Sequence, residues 1–206
     1  MLAVIPARGG SKGIKRKALH PLNGIPLIEY TLKAARESNL DAFFISTDDE
    51  EIARYGPSIL RPSELAQDDT PMLPVIQHAV SVFGRPVEAV MTLQPTSPLR
   101  TAEDINKALE MWARHKFADS LISVTAGVHP IKCYDRDWRP FMWQYPYDKR
   151  KHVCYVRNGA IFITRMDLLE SGRLIGDNPM FYVMPKTRSV DVDSLEDLAI
   201  AEALLK

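Results

Sequence analysis

Short apolar runs alternate with segments of helical spacing along most of this 206-residue chain. That alternation limits the fold more than any other feature. Leu2 to Ile5 is apolar without helical spacing, which fits a buried strand ending at Pro6. Pro26 to Ala35 carries apolar positions at helical spacing, and Pro26 suits a first helical turn after Asn23-Gly24. Ala42 to Thr47 reads as a strand, and Asp48-Asp49-Glu50-Glu51 places acids where the next helix begins. Leu73 to Phe83 reads as a helix, Val87 to Leu93 as a strand, and Ala102 to His115 as a helix capped from Thr101, with Asp104 three residues on. Strands follow at Ser120 to Thr125, at Val153 to Val156 and Ala160 to Thr164 around Arg157-Asn158-Gly159, and at Phe181 to Met184. A last helix covers Leu195 to Leu205. Residues Pro57 to Pro74, rich in Pro, Ser, Asp and Thr, read as a long irregular surface connection. The pattern predicts an α/β fold: a mostly parallel sheet with helices on both faces, whose ligands gather at the carboxyl ends of the strands.

Composition narrows the function. Lys plus Arg equals Asp plus Glu at 26 each, so no global basic excess drives nucleic-acid binding, and any anion site is local. With 46% hydrophobic and 25% charged residues, a single domain over 1–206 is expected. The N-terminal apolar run is too short for a signal-peptide core and no window approaches a membrane span, so a cytoplasmic protein is expected. Cys133 and Cys154 are too few and too distant for a zinc site or a disulfide framework. Between about 129 and 152, Tyr134, Trp138, Phe141, Trp143, Tyr145 and Tyr147 crowd together with charged residues and prolines. Such an excursion suits a protein interface, and we expect a dimerisation arm and a homodimer.

Three loops carry chemistry. Ile5-Pro6-Ala7-Arg8-Gly9-Gly10-Ser11-Lys12-Gly13-Ile14-Lys15-Arg16-Lys17 leaves the first strand with three glycines and five cations. Glycine lets backbone N–H groups approach an anion, so the loop suits a polyphosphate, although neither GxxxxGK[ST] nor GxGxxG fits it. A solvated basic turn is the alternative. Gln94-Pro95-Thr96-Ser97-Pro98-Leu99-Arg100 presents polar groups on a path fixed by two prolines, suited to a hydroxyl-rich ligand or to a plain strand-to-helix turn. In Asp191-Val192-Asp193, extended geometry would put both carboxylates on one face, about 7 Å apart, where they could share a magnesium ion. Asp193 or Ser194 could instead N-cap the last helix, with Asp197 completing the turn. Arg61 is a candidate ligand contact in its connection, while Lys132 and Arg157 stand in settings ordinary for surface charges.

The segments IPARGGSKGIKRK, Ser46-Thr47-Asp48, Leu60 to Ala66, Leu93 to Arg100, Arg157 to Ile163 and Asp191 to Leu198, in this order, resemble the acylneuraminate cytidylyltransferases, or CMP-sialic acid synthetases. The resemblance spans nearly the whole chain and implies a Rossmann-like sheet of the nucleotide-diphospho-sugar transferase type. It implies a Mg²⁺-dependent transfer of CMP from CTP to the anomeric hydroxyl of a nine-carbon 2-keto acid sugar, releasing pyrophosphate. Carried over by motif, Arg8, Ser11, Lys12 and Lys17 would hold the CTP phosphates and Arg61 the cytosine. Gln94 would contact the sugar, Lys132 its carboxylate, and Arg157 and Asn158 would line the same pocket. Asp191 and Asp193 would bind the metal and, with Lys17, form the catalytic set. Two departures stand out: Ala18 where the family commonly shows Asn, and Lys149-Arg150-Lys151-His152 where an Arg-Gln pair is common. A CMP-Kdo synthetase-like or other sugar nucleotidyltransferase, and a catalytically silent nucleotide-binding module, are the competing readings; the sugar itself is not specified.

Overall fold

A computed structural model of the chain describes residues 1–11, 13–126 and 155–206. Strand β1 (Leu2–Pro6) leads through the basic loop and a single 3-10 turn (Lys17–Leu19) to a two-strand hairpin, β2 (Pro21–Leu22) and β3 (Ile25–Pro26). Then come α1 (Leu27–Arg36), β4 (Ala42–Thr47), α2 (Glu50–Ala53), β5 (Ser58–Leu60), α3 (Met72–Phe83), β6 (Ala89–Thr92), α4 (Ala102–Arg114) and β7 (Ser120–Ala126). After the undescribed stretch follow β8 (Tyr155–Arg165), α5 (Met166–Glu170), β9 (Pro179–Met184) and α6 (Leu195–Leu204).

Seven strands form one sheet in the order β5-β4-β1-β6-β8-β7-β9. β8 is antiparallel to both its neighbours, and every other pairing in the sheet is parallel. The sheet is therefore mostly parallel, as the alternation predicts. Successive residues of β1 show how its faces are covered. Ala3 and Ile5 pack with Ile28 and Leu32 of α1 and Ile105 and Ala108 of α4, whereas Val4 packs with Ile76 and Ala79 of α3 and Leu169 of α5. Burial of both faces is why β1 and β6 read as unbroken apolar runs rather than alternating ones. A third, smaller cluster joins Ile14 of the basic loop, Leu22 and Leu27 to Val192, Leu198 and Ala201 near the C-terminal end.

Several elements depart from the sequence reading. The connection from Pro57 to Pro74 contains a parallel edge strand, β5, and a 3-10 turn at Ser63–Leu65; a strand with one buried residue leaves too short a pattern to read. The two strands expected around Arg157-Asn158-Gly159 are one, β8, whose register against β7 shifts between Ile122 and Val124. Gly159 there has φ of +73°, which glycine adopts at little cost. Residues 190–193 belong to no strand, yet Val192 is fully buried while Asp191 and Asp193 are exposed, so the two acids still share an outward side. The expected dimerisation arm at 129–152, with Lys132, Cys133, Cys154 and the basic run 149–152, lies outside the described residues, as does Lys12.

The predicted cap on α4 is present and reaches further than a cap. Thr101 and Asp104 form a reciprocal capping box, and the buried Asp104 carboxylate also accepts two hydrogen bonds from Arg188, at 2.9 Å each, and one from the Tyr182 hydroxyl at 2.8 Å. Burial pushes the Asp104 carboxyl up, but the bonds from Arg188, Thr101 and Tyr182 outweigh it and leave the pKa below its ordinary value. A carboxylate so held stabilises the fold above the ordinary aspartate value of 3.8, and the stabilisation is lost as pH falls through that value toward the lower folded one. Asp104→Ala strands Arg188 and removes the cap, and should cost about 3 kcal/mol at neutral pH. Urea unfolding of both proteins from pH 7 to pH 3 should show their stabilities converging as the acid range is entered.

Candidate active site

The parallel half of the sheet delivers several of the candidate side chains to one edge. β1, β4, β5 and β6 all end there, followed respectively by the basic loop, Asp48-Asp49, Arg61 and Gln94. Between them lies a cleft of about 420 Å³. Arg8, Ser11, Lys17, Arg61, Gln94, Asp191 and Asp193, seven of the residues singled out from sequence, line it. The chain ends meet in it: the Lys17 ammonium donates to the Val192 carbonyl at 2.8 Å and to Asp193 Oδ1 at 2.6 Å.

The basic loop is folded onto carboxylates. The Gly9 N–H donates to Asp48 Oδ1 at 3.0 Å, Arg8 pairs with Asp68 at 2.7 Å, and Arg16 pairs with Asp49 at 2.6 Å and Glu51 at 2.7 Å. Arg16 thus anchors the loop to α2, and its charge is spent on structure. Arg61 is buried, and its Nε has no hydrogen-bond acceptor among the described residues. Burial holds the Arg61 pKa below its ordinary value and the neighbouring Arg8 charge adds to that, with Asp48 opposing. Arg8 already has a carboxylate partner, whereas the unpaired Arg61 Nε–H favours a hydrogen-bond acceptor on a ligand.

Capping and the acid pair turn out to be separate. Ser194 caps α6 and Asp197 completes the box, accepting from the Asp193 and Ser194 N–H groups and the Ser194 hydroxyl. Asp191 and Asp193 are left with their carboxylates on the cleft. Asp191 keeps solvent-exposed surface, but the cleft walls crowd it, and that crowding, helped by the Asp193 charge, pushes its carboxyl pKa up against a hydrogen bond from Thr96 and the pull of Lys17. Asp193 is paired with Lys17, whereas Asp191 has no ion-pair partner among the described residues. Among the described residues no group of three or more His, Cys, Asp or Glu could hold a metal unaided. Two carboxylates suit a small hard cation that takes its other ligands from water and phosphate oxygens.

Gln94 stands over Gly159, where a Cβ would lie only 2.8 Å from Gln94 Oε1 and 3.3 Å from Asp191 Oδ2. Arg157 and Asn158 do not line this cleft. Arg157 is exposed on β8, and the Asn158 amide is used inside the sheet: its oxygen accepts from Ser123 at 2.6 Å and its nitrogen donates to Ser189 at 2.9 Å. Asp68, Gln67, Thr70 and Thr96 line the cleft without having been assigned from sequence. Asp68 and Thr70 sit in a stretch whose composition says only that it is a loop, and Thr96 had a visible signal in its place between two prolines.

The family model for cytidylyltransferases matches residues 2–204, almost the whole chain. The chain belongs to the cytidylyltransferase family. Within it, similarity is found to the N-acylneuraminate cytidylyltransferase of Escherichia coli, 31% identical over 98% of this chain, and to the CMP-N,N'-diacetyllegionaminic acid synthase of Legionella pneumophila, 32% identical over the full chain. The chain spans 51% of the Escherichia coli protein and 96% of the Legionella one. A solved CMP:2-keto-3-deoxy-manno-octonic acid synthetase complexed with CTP shares the fold, with a TM-score of 0.78 at 16% identity over 99% of this chain and 97% of that one. The fold is thus that of this synthetase. In this family member the contact of Gln94 with Gly159 is tight enough to test. Gly159→Ala puts a side chain at φ +73° and against Gln94 Oε1; it should cost about 1–2 kcal/mol in denaturant unfolding and shift Gln94 away from Asp191.

Proposed function

We propose that this chain transfers CMP from CTP to the anomeric hydroxyl of a nonulosonic acid, releasing pyrophosphate, with magnesium held by Asp191 and Asp193. The observation that carries this reading is the meeting of Arg8, Lys17 and Arg61 with the Asp191–Asp193 pair in one cleft. Cations alone suit any polyanion. Cations facing a pair of carboxylates across one cleft suit a metal-bound triphosphate. The named activities of the relatives, on N-acylneuraminate and on N,N'-diacetyllegionaminic acid, supply the acceptor class.

In the transfer, the anomeric oxygen forms a bond to the α-phosphorus as the bond to the bridging oxygen of pyrophosphate breaks, and the hydroxyl proton passes to solvent. Bound magnesium would neutralise charge on the phosphate oxygens and lower the pKa of the attacking hydroxyl. Arg8 and Lys17, with Lys12 of the same loop, would hold the phosphates in line, which matters because a tertiary hydroxyl is a poor nucleophile. Ser11 would add a hydrogen bond and Arg61 would face the cytosine. Gln94 can donate and accept toward the sugar hydroxyls. No histidine lines the cleft among the described residues, so charge neutralisation and alignment carry the step. Ala18, buried beside Lys17, offers no side-chain bond to the nucleotide. Lys132, Arg157 and Asn158 enter the proposal through motif alone: Lys132 as partner of the sugar carboxylate, the other two as pocket residues. A cytoplasmic homodimer belongs to the same proposal, supported by two cysteines in 206 residues and by the aromatic run between 134 and 147.

Pyrophosphate release should require CTP over ATP, GTP and UTP, and should appear with at least one of N-acetylneuraminate, legionaminate and pseudaminate. Release with Kdo alone would move the acceptor to the eight-carbon class and overturn the assignment. Asp191→Ala should lower turnover by at least about a thousandfold with an unchanged far-UV spectrum, since the metal and its charge are lost together. Near-normal turnover in that variant would remove Asp191 from the metal site.

A further inference from the structure

We infer that Arg100 is a positioning residue that sets the acceptor side of the cleft by holding Gln94 against Gly159, an inference that rests on the reading given under Proposed function. Arg100 follows the loop after β6, is almost wholly buried, and does not line the cleft. Its Nη1 donates to two carbonyls, Gln94 at 3.2 Å and Ala160 at 2.8 Å, and its Nη2 donates to the Thr31 hydroxyl of α1 at 2.7 Å. No carboxylate forms an ion pair with it among the described residues, and burial pushes its pKa down to about 9, with Asp104 opposing from a distance. A charged group placed in the interior on neutral acceptors alone is costly, and a neutral packing residue would serve the core better if packing were its only task.

The strand register shows what the guanidinium does there. β6 and β8 pair from Ala89 with Arg165 to Thr92 with Phe162. Continued in the same register, the ladder would bring Gln94 opposite Ala160. Instead the ladder stops at Thr92, and one guanidinium nitrogen spans those two carbonyls. The strands part beyond Thr92, and Arg100 replaces the missing ladder bonds with a bridge of fixed width. Gln94 and Gly159 lie at that parting, where Gln94 Oε1 sits so close to the bare glycine that an added Cβ would stand 2.8 Å from it. The spacing that lets Gln94 project beside Asp191 is therefore set by Arg100, and Thr31 fixes the guanidinium from the helix behind.

Lysine can keep one of these bonds and cannot span both carbonyls from one planar group. Arg100→Lys is therefore the informative variant, and Arg100→Met the stricter one. With N-acetylneuraminate as the probe acid and CTP as the nucleotide, Arg100→Lys should raise KM for the acid about tenfold or more while the calorimetric Kd for CTP with magnesium stays within about twofold. Hydrogen exchange should quicken in peptides covering 94–99 and 158–163 and stay unchanged in 2–6. Parallel losses in acid and CTP binding in a folded variant, or unchanged acid KM with unchanged exchange, would overturn the positioning role. If the unsubstituted protein uses a different acid, that acid replaces the probe. If it uses none, the reading of the reaction fails, while the exchange result still decides whether Arg100 sets the Gln94–Gly159 spacing.

Discussion

A lysine ammonium gripping a carbonyl and a carboxylate 175 and 176 positions away closes the site. Everything in the cleft depends on that closure, because the loop that carries the cations and the acid pair otherwise belong to opposite ends of the sequence. The contact is not left to the salt bridge alone, which partial exposure would make weak. Ile14 and Val192 enter the same small apolar cluster and bring the two backbones together. Gly13 lets them touch: a Cβ on it would lie 2.5 Å from the Asp193 carbonyl oxygen. The Ser194–Asp197 box then fixes the direction in which Asp193 leaves the helix. Hydrophobic burial supplies the attraction and the polar contacts supply the aim.

The elements that could be read from sequence were those with enough residues to show a period or a cap. β1, β4 and β6 are apolar on both faces because helices cover both, and α4 announced itself through Thr101 and Asp104. The β2–β3 hairpin could not be read, with two residues per strand, although Asn23 and Gly24 at its turn adopt the positive φ their types favour. The direction of β8 was equally hidden, since a strand's residues do not state which way its neighbours run. Its polar Arg157-Asn158-Gly159 looked like a break because the hydrogen-bond network that buries Asn158 is assembled from β7 and from Ser189, both distant in sequence.

For the site, residue types and order pointed to the cleft better than they pointed to contacts. Arg8, Lys17, Arg61, Gln94, Asp191 and Asp193 share it. Which cations remain available in it depends on where acids fall in three dimensions. Arg16 looked equivalent to Lys17 in a run of basic residues, yet Asp49 and Glu51 hold it outside the cleft lining. The same acids are favourable charge at a helix start, and Asp49 serves that role too, accepting from the Glu51 and Ile52 N–H groups. One carboxylate doing both jobs leaves no separate trace in the sequence.

The satellite cluster also orders events in time. All strands of the main sheet are complete by Met184, whereas Val192, Leu198 and Ala201 arrive afterward. During synthesis the sheet's segments leave the ribosome first, and the half-built cleft holds only its cationic side until the closing helix docks. The two acids therefore join the cationic loop only after the segment from 190 to 201 has been made and has packed against Ile14, Leu22 and Leu27.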